Sequence, residues 1–343
     1  RLATAKLKAD GVDDDPLPLF QRDGHRRVNE LRTLPTELSD LLLKDSISPL
    51  PLHKTLVLLE TIEERRDKRL SDHEKLALAR TVVFEASNLN FGPEVGVGPA
   101  KPDTAVVGPW MTAVRAMCGD LRELRTRPDT ESLVLRNDSR NLSEILPPNS
   151  IDMVITSPPY PNEKDYTRAT RLETVLLGFI RSKGDLRAIK QELVRSNTRG
   201  VYKADNDDAL VVEHQEIQRL AAAIEGRRIE LGKTSGFERL YARVTKLYFG
   251  GMTRHLADLR TILRPGARLA YVVGDQASYL RVMIRTGQIL ADIAQSLGYE
   301  LQDIELFRTR RATATREELR EEVVLLRWPG FKTSGIPYAE PLT

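Results

Sequence analysis

The stretch IDMVITSPPY, Ile151 to Tyr160, joins a short apolar run to two consecutive prolines. Proline has no backbone N–H to donate, so Pro158 and Pro159 end any strand or helix that reaches them. Apolar residues at both odd and even positions of the run suit a strand buried in a largely parallel sheet, and the proline corner then lies at its carboxyl end.

The remaining segments alternate in the same sense. Helical spacing is expected over 53–69 and 72–88, packed as a hairpin, with Ser71 and Glu74 as a capping box ahead of Leu76, Ala79, Val83 and Ala86. The glycines of FGPEVGVGPAKP lack phosphate-loop spacing, so a plain loop is expected there. A third helix over 109–126 leads to a first strand, SLVLR, at 132–136. After IDMVIT come a helix near 170–181, a charged stretch at 185–235, a helix from Phe237 to about Leu263 closed by Pro265 and Gly266, a strand at 268–275 and an amphipathic helix at 282–298. Phe249, Gly250, Gly251 and Met252 mark a close helix contact. LQDIELFR and EEVVLLRW form a terminal antiparallel hairpin around a charged loop. Strands separated by helices predict an α/β, Rossmann-like sheet with helices on both faces and helical insertions. The expected division is a helical region 1–130, a core of 131–182 and 236–330, an insertion 183–235 and a tail 331–343.

Composition excludes several classes. With 41% hydrophobic and 29% charged residues the chain is neither disordered nor membrane-like in make-up, and no apolar run nears the roughly 20 residues that span a bilayer. A cytoplasmic location is expected. Cys118 is the only cysteine, and His25, His53, His73, His214 and His255 show no ligand spacing, so no disulfide and no metal site are expected. The formal charge of +3, from 52 basic and 49 acidic residues, permits a local basic face without demanding one.

Ligands of open α/β sheets bind beyond the carboxyl ends of the strands. There the two prolines stiffen the loop and leave the carbonyls of Ser157 and Pro158 as outward acceptors. An exocyclic amine of a nucleobase wants such acceptors, because its N–H groups must be oriented while the nitrogen lone pair is freed. Tyr160 offers a flat face for an unstacked base. Arg168, Arg171, Arg195, Arg199 and Lys203, with Tyr166 and Tyr202 nearby, suit a phosphate-contacting surface or, equally, a solvated face with internal ion pairs.

TSPPY resembles the catalytic motif of the amino-methylating DNA methyltransferases, which is Ser, Asp or Asn followed by Pro-Pro and Tyr or Phe. The resemblance extends over LVLRNDSRNLSEILPPNSIDMVITSPPY and LRPGARLAYVVGDQ, in all roughly 131–182 and 236–328. It implies a class I methyltransferase sheet and direct methyl transfer from S-adenosylmethionine to the amine of a flipped base in DNA. The Ser form favours cytosine N4, with adenine N6 or a related RNA guanine as alternatives. Catalytic roles would fall to Ser157, Pro158, Pro159 and Tyr160, and cofactor contacts to Asn137 or Asp138, Thr156 and Asp275, although Asp138 also reads as an ordinary turn residue and Asp275 as a helix cap. The family's Gly-rich loop for the methionine end of the cofactor does not match anywhere in the chain. A missing N-terminal segment or a partner chain is therefore expected to supply it, and a non-catalytic DNA-binding or specificity subunit is the alternative from another class.

Overall fold

The computed structural model describes residues 1–16, 31–65, 68–92, 94–128, 130–162, 164–277, 279–311 and 318–331. Part of the proline-rich stretch before residue 31, the tip of the terminal hairpin and the tail beyond Phe331 lie outside the described residues. Contacts divide the chain into two compact units, Arg1–Leu133 with Tyr166–Ile189, and Val134–Asp165 with Lys190–Thr343.

The first unit is mainly helical. It holds α1 (Leu2–Ala9), α2 (Thr36–Ser39), α3 (Pro49–Glu64), α4 (Lys68–Thr81), a small hairpin of β1 (Leu89–Phe91) and β2 (Val95–Val97), and α5 (Val107–Leu124). Helix α3 starts at Pro49, four residues ahead of the expected boundary, because proline in the first turn gives up no intrahelical bond and arrives with helical φ. Ser71 is no cap, since α4 already begins at Lys68. The glycine-rich stretch expected as a loop forms the β1–β2 hairpin, with Phe91 opposite Val95. Asp14 opens α5 by accepting from the backbone N–H groups of Val106, Val107 and Gly108 at 2.8–2.9 Å, which satisfies donors that have no partner inside the helix. Leu7, Val57, Leu58, Ile62, Leu78 and Trp110 form its core.

The second unit contains the sheet. After β3 (Ile151–Thr156) the chain visits α6 (Tyr166–Ala169), α7 (Arg171–Leu176) and α8 (Lys183–Glu192), most of which cluster with the first unit. It returns through α9 (Gln215–Glu230), α10 (Tyr241–Ile262), β4 (Leu263–Gly274), α11 (Thr286–Ser296), β5 (Glu300–Arg311) and β6 (Glu318–Arg327). The sheet order is β3-β4-β6-β5, with β3 parallel to β4 and the last two strands antiparallel as a hairpin. This is the α/β architecture with a terminal antiparallel hairpin that the sequence predicts. Pro265 is tolerated inside β4 because the register slips there: Ile151 faces Leu263 while Met153 faces Arg268.

One expected strand does not form. SLVLR runs unpaired, with Val134 94% exposed, because no neighbouring strand among the described residues takes its backbone bonds. The core of the second unit lies on one face of its sheet, where Leu269, Tyr271, Val273, Val324 and Leu326 meet α10 and α11. On the opposite face Met153 is 58% and Ile155 74% exposed, beside half-buried Ala270, Val272, Val323 and Leu325. Strand β3 therefore has an interior strand's composition at the open edge of the sheet.

The Gly250–Gly251 pair behaves as expected. A Cβ on Gly250 would come within 1.9 Å of the Asp207 carbonyl oxygen, so only glycine lets the 207–211 turn lie directly on α10.

Candidate active site

The corner after β3 retains unused hydrogen-bonding capacity. Thr156 is the last laddered residue, opposite Tyr271, and Ser157 is exposed while Pro158, Pro159 and Tyr160 are half-buried. The corner is closed from behind: Asn162 N–H donates to the Tyr160 carbonyl at 2.8 Å, Asn162 Oδ1 accepts from Lys164 N–H at 3.0 Å, and Asn197 Nδ2 donates to the Lys164 carbonyl at 3.1 Å. Among the described residues nothing donates to the Ser157 or Pro158 carbonyl or engages the Ser157 hydroxyl. The Tyr160 ring lies against the end of β4, where a Cβ on Gly274 would sit 3.1 Å from Tyr160 Cε2. Glycine at the strand end is what lets the ring lie across it. The corner thus combines open acceptors with a positioned aromatic face.

The Asn137–Asp138 turn is built differently. Asp138 accepts from Arg140 N–H and Nε at 2.9 Å on Oδ1, and from Nε at 3.1 Å and Nη2 at 2.6 Å on Oδ2, which uses the acceptor positions of both oxygens. Arg140 Nη1 reaches Asp207 Oδ2 at 2.7 Å, and Arg254 lies 3.0 Å from the other Asp207 oxygen. Burial works to lower the Arg140 pKa, but its hydrogen bonds to Asp138 and Asp207 overcome that and hold it above the ordinary value. His255 braces the turn. Its Nδ1 must donate to the Ser139 carbonyl at 2.7 Å, since a carbonyl only accepts, so in the neutral ring Nε2 accepts from the Tyr271 hydroxyl at 2.7 Å. Burial depresses the His255 pKa and raises that of Tyr271, keeping both neutral. Asn137 is exposed and uses its Nδ2 on the Asn141 carbonyl at 2.8 Å.

Asp275 is 1% exposed and pairs with Arg285 at 2.5 Å, its backbone N–H donating to the Arg320 carbonyl at 2.8 Å. Glu322 is buried close by, and burial followed by repulsion from Asp275 raises its pKa. Two open clefts, of about 700 and 540 Å³, share Met283, Arg285 and Gln288 on the α11 side of this cluster, and Ser157–Tyr160 line neither.

The basic residues separate by burial. Arg171 spends its guanidinium on the Thr167 carbonyl and hydroxyl and the Leu41 carbonyl, and Arg195, 4% exposed, forks onto Asp205 and the carbonyls of Lys190 and Gln191. Arg168, half-buried, donates to the Val95 carbonyl at 3.4 Å. Arg199 is exposed with its guanidinium 6.0 Å from the Phe237 ring centroid, and Lys203 is exposed. Sequence reasoning missed Arg140, Asp207 and His255; the one local signal was an arginine two residues after Asp138. No metal-holding cluster of His, Cys, Asp or Glu occurs among the described residues. No helix among them is long and apolar enough to cross a membrane.

No family model matches the chain. Among curated proteins it is 28% identical over 170 residues to the Type II methyltransferase M.AvaI of Nostoc sp. (strain PCC 7120), which covers 48% of this chain and 34% of that protein. Against the Type II methyltransferase M.BsoBI of Geobacillus stearothermophilus it is 26% identical over 199 residues, covering 54% of this chain and 38% of the relative. The chain is similar to Type II methyltransferases. It matches little more than a third of the length of these relatives. Among solved structures, the Thermus thermophilus protein TTHA0409, assigned as a DNA modification methylase, aligns over 58% of this chain and 55% of its own at 14% identity, with a TM-score of 0.29, too low to establish a common fold.

Proposed function

We propose that this chain carries the target-base half of a DNA methyltransferase, with the exocyclic amine of a flipped base as acceptor and cytosine N4 preferred. The observation that carries the reading is the proline corner, with free carbonyls on Ser157 and Pro158 and the Tyr160 ring seated on Gly274. The flipped base stacks on Tyr160, while the Ser157 hydroxyl and Pro158 carbonyl accept from its amine. That orientation frees the nitrogen lone pair, and the same oxygens stabilise positive charge developing on nitrogen. Type II methyltransferase relatives support the class; the Ser-type corner is what favours cytosine N4 over adenine N6.

S-adenosylmethionine is the methyl donor this reading requires. The residues of this chain fit only a part of it: Thr156 and exposed Asn137 retain free capacity, whereas Asp138 is taken by Arg140 and Asp275 by Arg285. The rest of the cofactor site is assigned to a further segment or a partner chain bearing the Gly-rich loop. The open edge of β3 and the exposed Met153, Ile155 and Val134 support that assignment, since added strands would pair with the edge and a segment packed on that face would cover the side chains. The saturated Asp138 favours a second reading, a DNA-binding or specificity subunit without its own catalysis.

Nucleoside mass spectrometry of DNA from cells expressing the chain from its own gene with its flanking genes tests the assignment. N4-methylcytosine is the expected product; N6-methyladenine alone would shift the target, and no methylated base would leave the second reading. Retention of Arg199 and Lys203 as phosphate contacts, with Arg168, belongs to the same proposal.

A further inference from the structure

In the first unit α4 does not end at Thr81 but widens into a π-turn, Val82–Ala86, where Ser87 N–H donates to the Val82 carbonyl at 2.8 Å. Such turns are uncommon and recur at functional positions. Val82, Val83 and Ala86 stay in the core, whereas Phe84 is turned outwards and is 62% exposed. Phe91, on β1, is 47% exposed, and the two rings lie 5.9 Å apart, tilted by 40°. The Arg80 guanidinium sits 5.9 Å from the Phe84 centroid. Arg168 donates to the carbonyl of Val95, the register partner of Phe91, and Lys101 Nζ donates to the Glu85 carbonyl at 3.1 Å.

Burying a phenylalanine contributes roughly 1.5–3 kcal/mol, so holding two rings together at the surface forgoes a sizeable stabilisation. Paired aromatic faces flanked by guanidinium groups are the chemistry that stacks unpaired nucleobases whatever their identity, because every base has a π-face. Protein interfaces also use aromatic residues and arginine, so self-association is the competing outcome. Within the same unit Asp103 is bound to Lys54 at 2.6 Å, while Glu85, next to Phe84, is exposed beside the positive charge of Arg80, Lys101 and Arg168.

We propose that Phe84, Phe91 and Arg80 form a stacking platform for unpaired DNA bases, a second nucleic-acid contact apart from the proline corner. The choice of DNA as ligand rests on the methyltransferase reading, but the test involves no methyl transfer, so either can fail without the other. The full chain is titrated into fluorescently labelled oligo(dT) and followed by anisotropy. Phe84→Ala/Phe91→Ala is expected to weaken binding roughly tenfold or more with an unchanged melting temperature. Phe84→Trp is expected to keep the affinity, with the emission of the new indole quenched as DNA binds. Unchanged affinity in the double variant, an indole that does not respond, absence of oligo(dT) binding, or loss of self-association in sedimentation in place of loss of DNA binding would each overturn the platform.

Discussion

Two corners of the second unit carry oxygen acceptors and use them differently. In the Asn137–Arg140 turn each Asp138 oxygen accepts from Arg140, the guanidinium continues to Asp207, and His255 pins the Ser139 carbonyl. After β3 the Ser157 and Pro158 carbonyls have no donor among the described residues, and the prolines that follow have no N–H with which to fold the chain back on them. On the proposed function, unspent capacity points to the binding site better than residue type does. Asp138 has the more obvious chemistry, yet its oxygens are spent on Arg140, while the two backbone carbonyls have no donor among the described residues.

The sharpest way to break that contrast is to remove the cation from the closed corner. Arg140→Ala leaves Asp138 and Asp207 without their buried partner and is expected to cost about 3–5 kcal/mol in urea unfolding. Ser157→Ala, at an exposed position, is expected to stay within about 0.5 kcal/mol. Equal costs for the two would erase the distinction. Next in size, Gly250→Ala forces a Cβ into the Asp207 carbonyl, and a loss of about 1–3 kcal/mol or more is expected by calorimetry. A neutral result would mean that the 207–211 turn is not held against α10.

The most gradual effect is a pH dependence. Burial lowers the pKa of both His53 and His255 below the ordinary imidazole value of 6.5. Unfolded chain then takes up protons first as pH falls, so the stability from these neutral rings is full above about pH 6.5 and is lost below it, by at most about 1.4 kcal/mol per pH unit for each ring. Unfolding free energies measured from pH 8 to 5 should decline in that lower range, and His255→Asn should flatten the slope. A flat wild-type profile would show that the imidazole bracing the Asp138 turn is not buried.

Sequence conveyed what is local. The proline stop, the end of α10 near Leu263 and the terminal hairpin depend on backbone donors, periodicity and turn residues within a few positions, and all were legible. SLVLR was misread because strand formation needs a neighbour, and its propensity does not supply one. The β1–β2 hairpin was hidden by its glycines. For Arg171 and Arg195 the sequence leaves a phosphate-contacting surface and a face with internal pairs equally open, because the partners that decide, the Leu41 carbonyl and Asp205, are set by the fold. The exposed face with Met153 and Ile155 was also out of reach, since a strand apolar on both sides says that covering is required without saying which residues provide it.

The most direct measurement replaces Ser157 and Tyr160 together by alanine in the chain expressed from its own gene with its flanking genes, and reads methylated nucleosides beside the purified variant's melting temperature. Unchanged melting with N4-methylcytosine lost is the predicted result. Wild-type levels of methylated base in that variant would contradict a role for the proline corner in gripping the target amine.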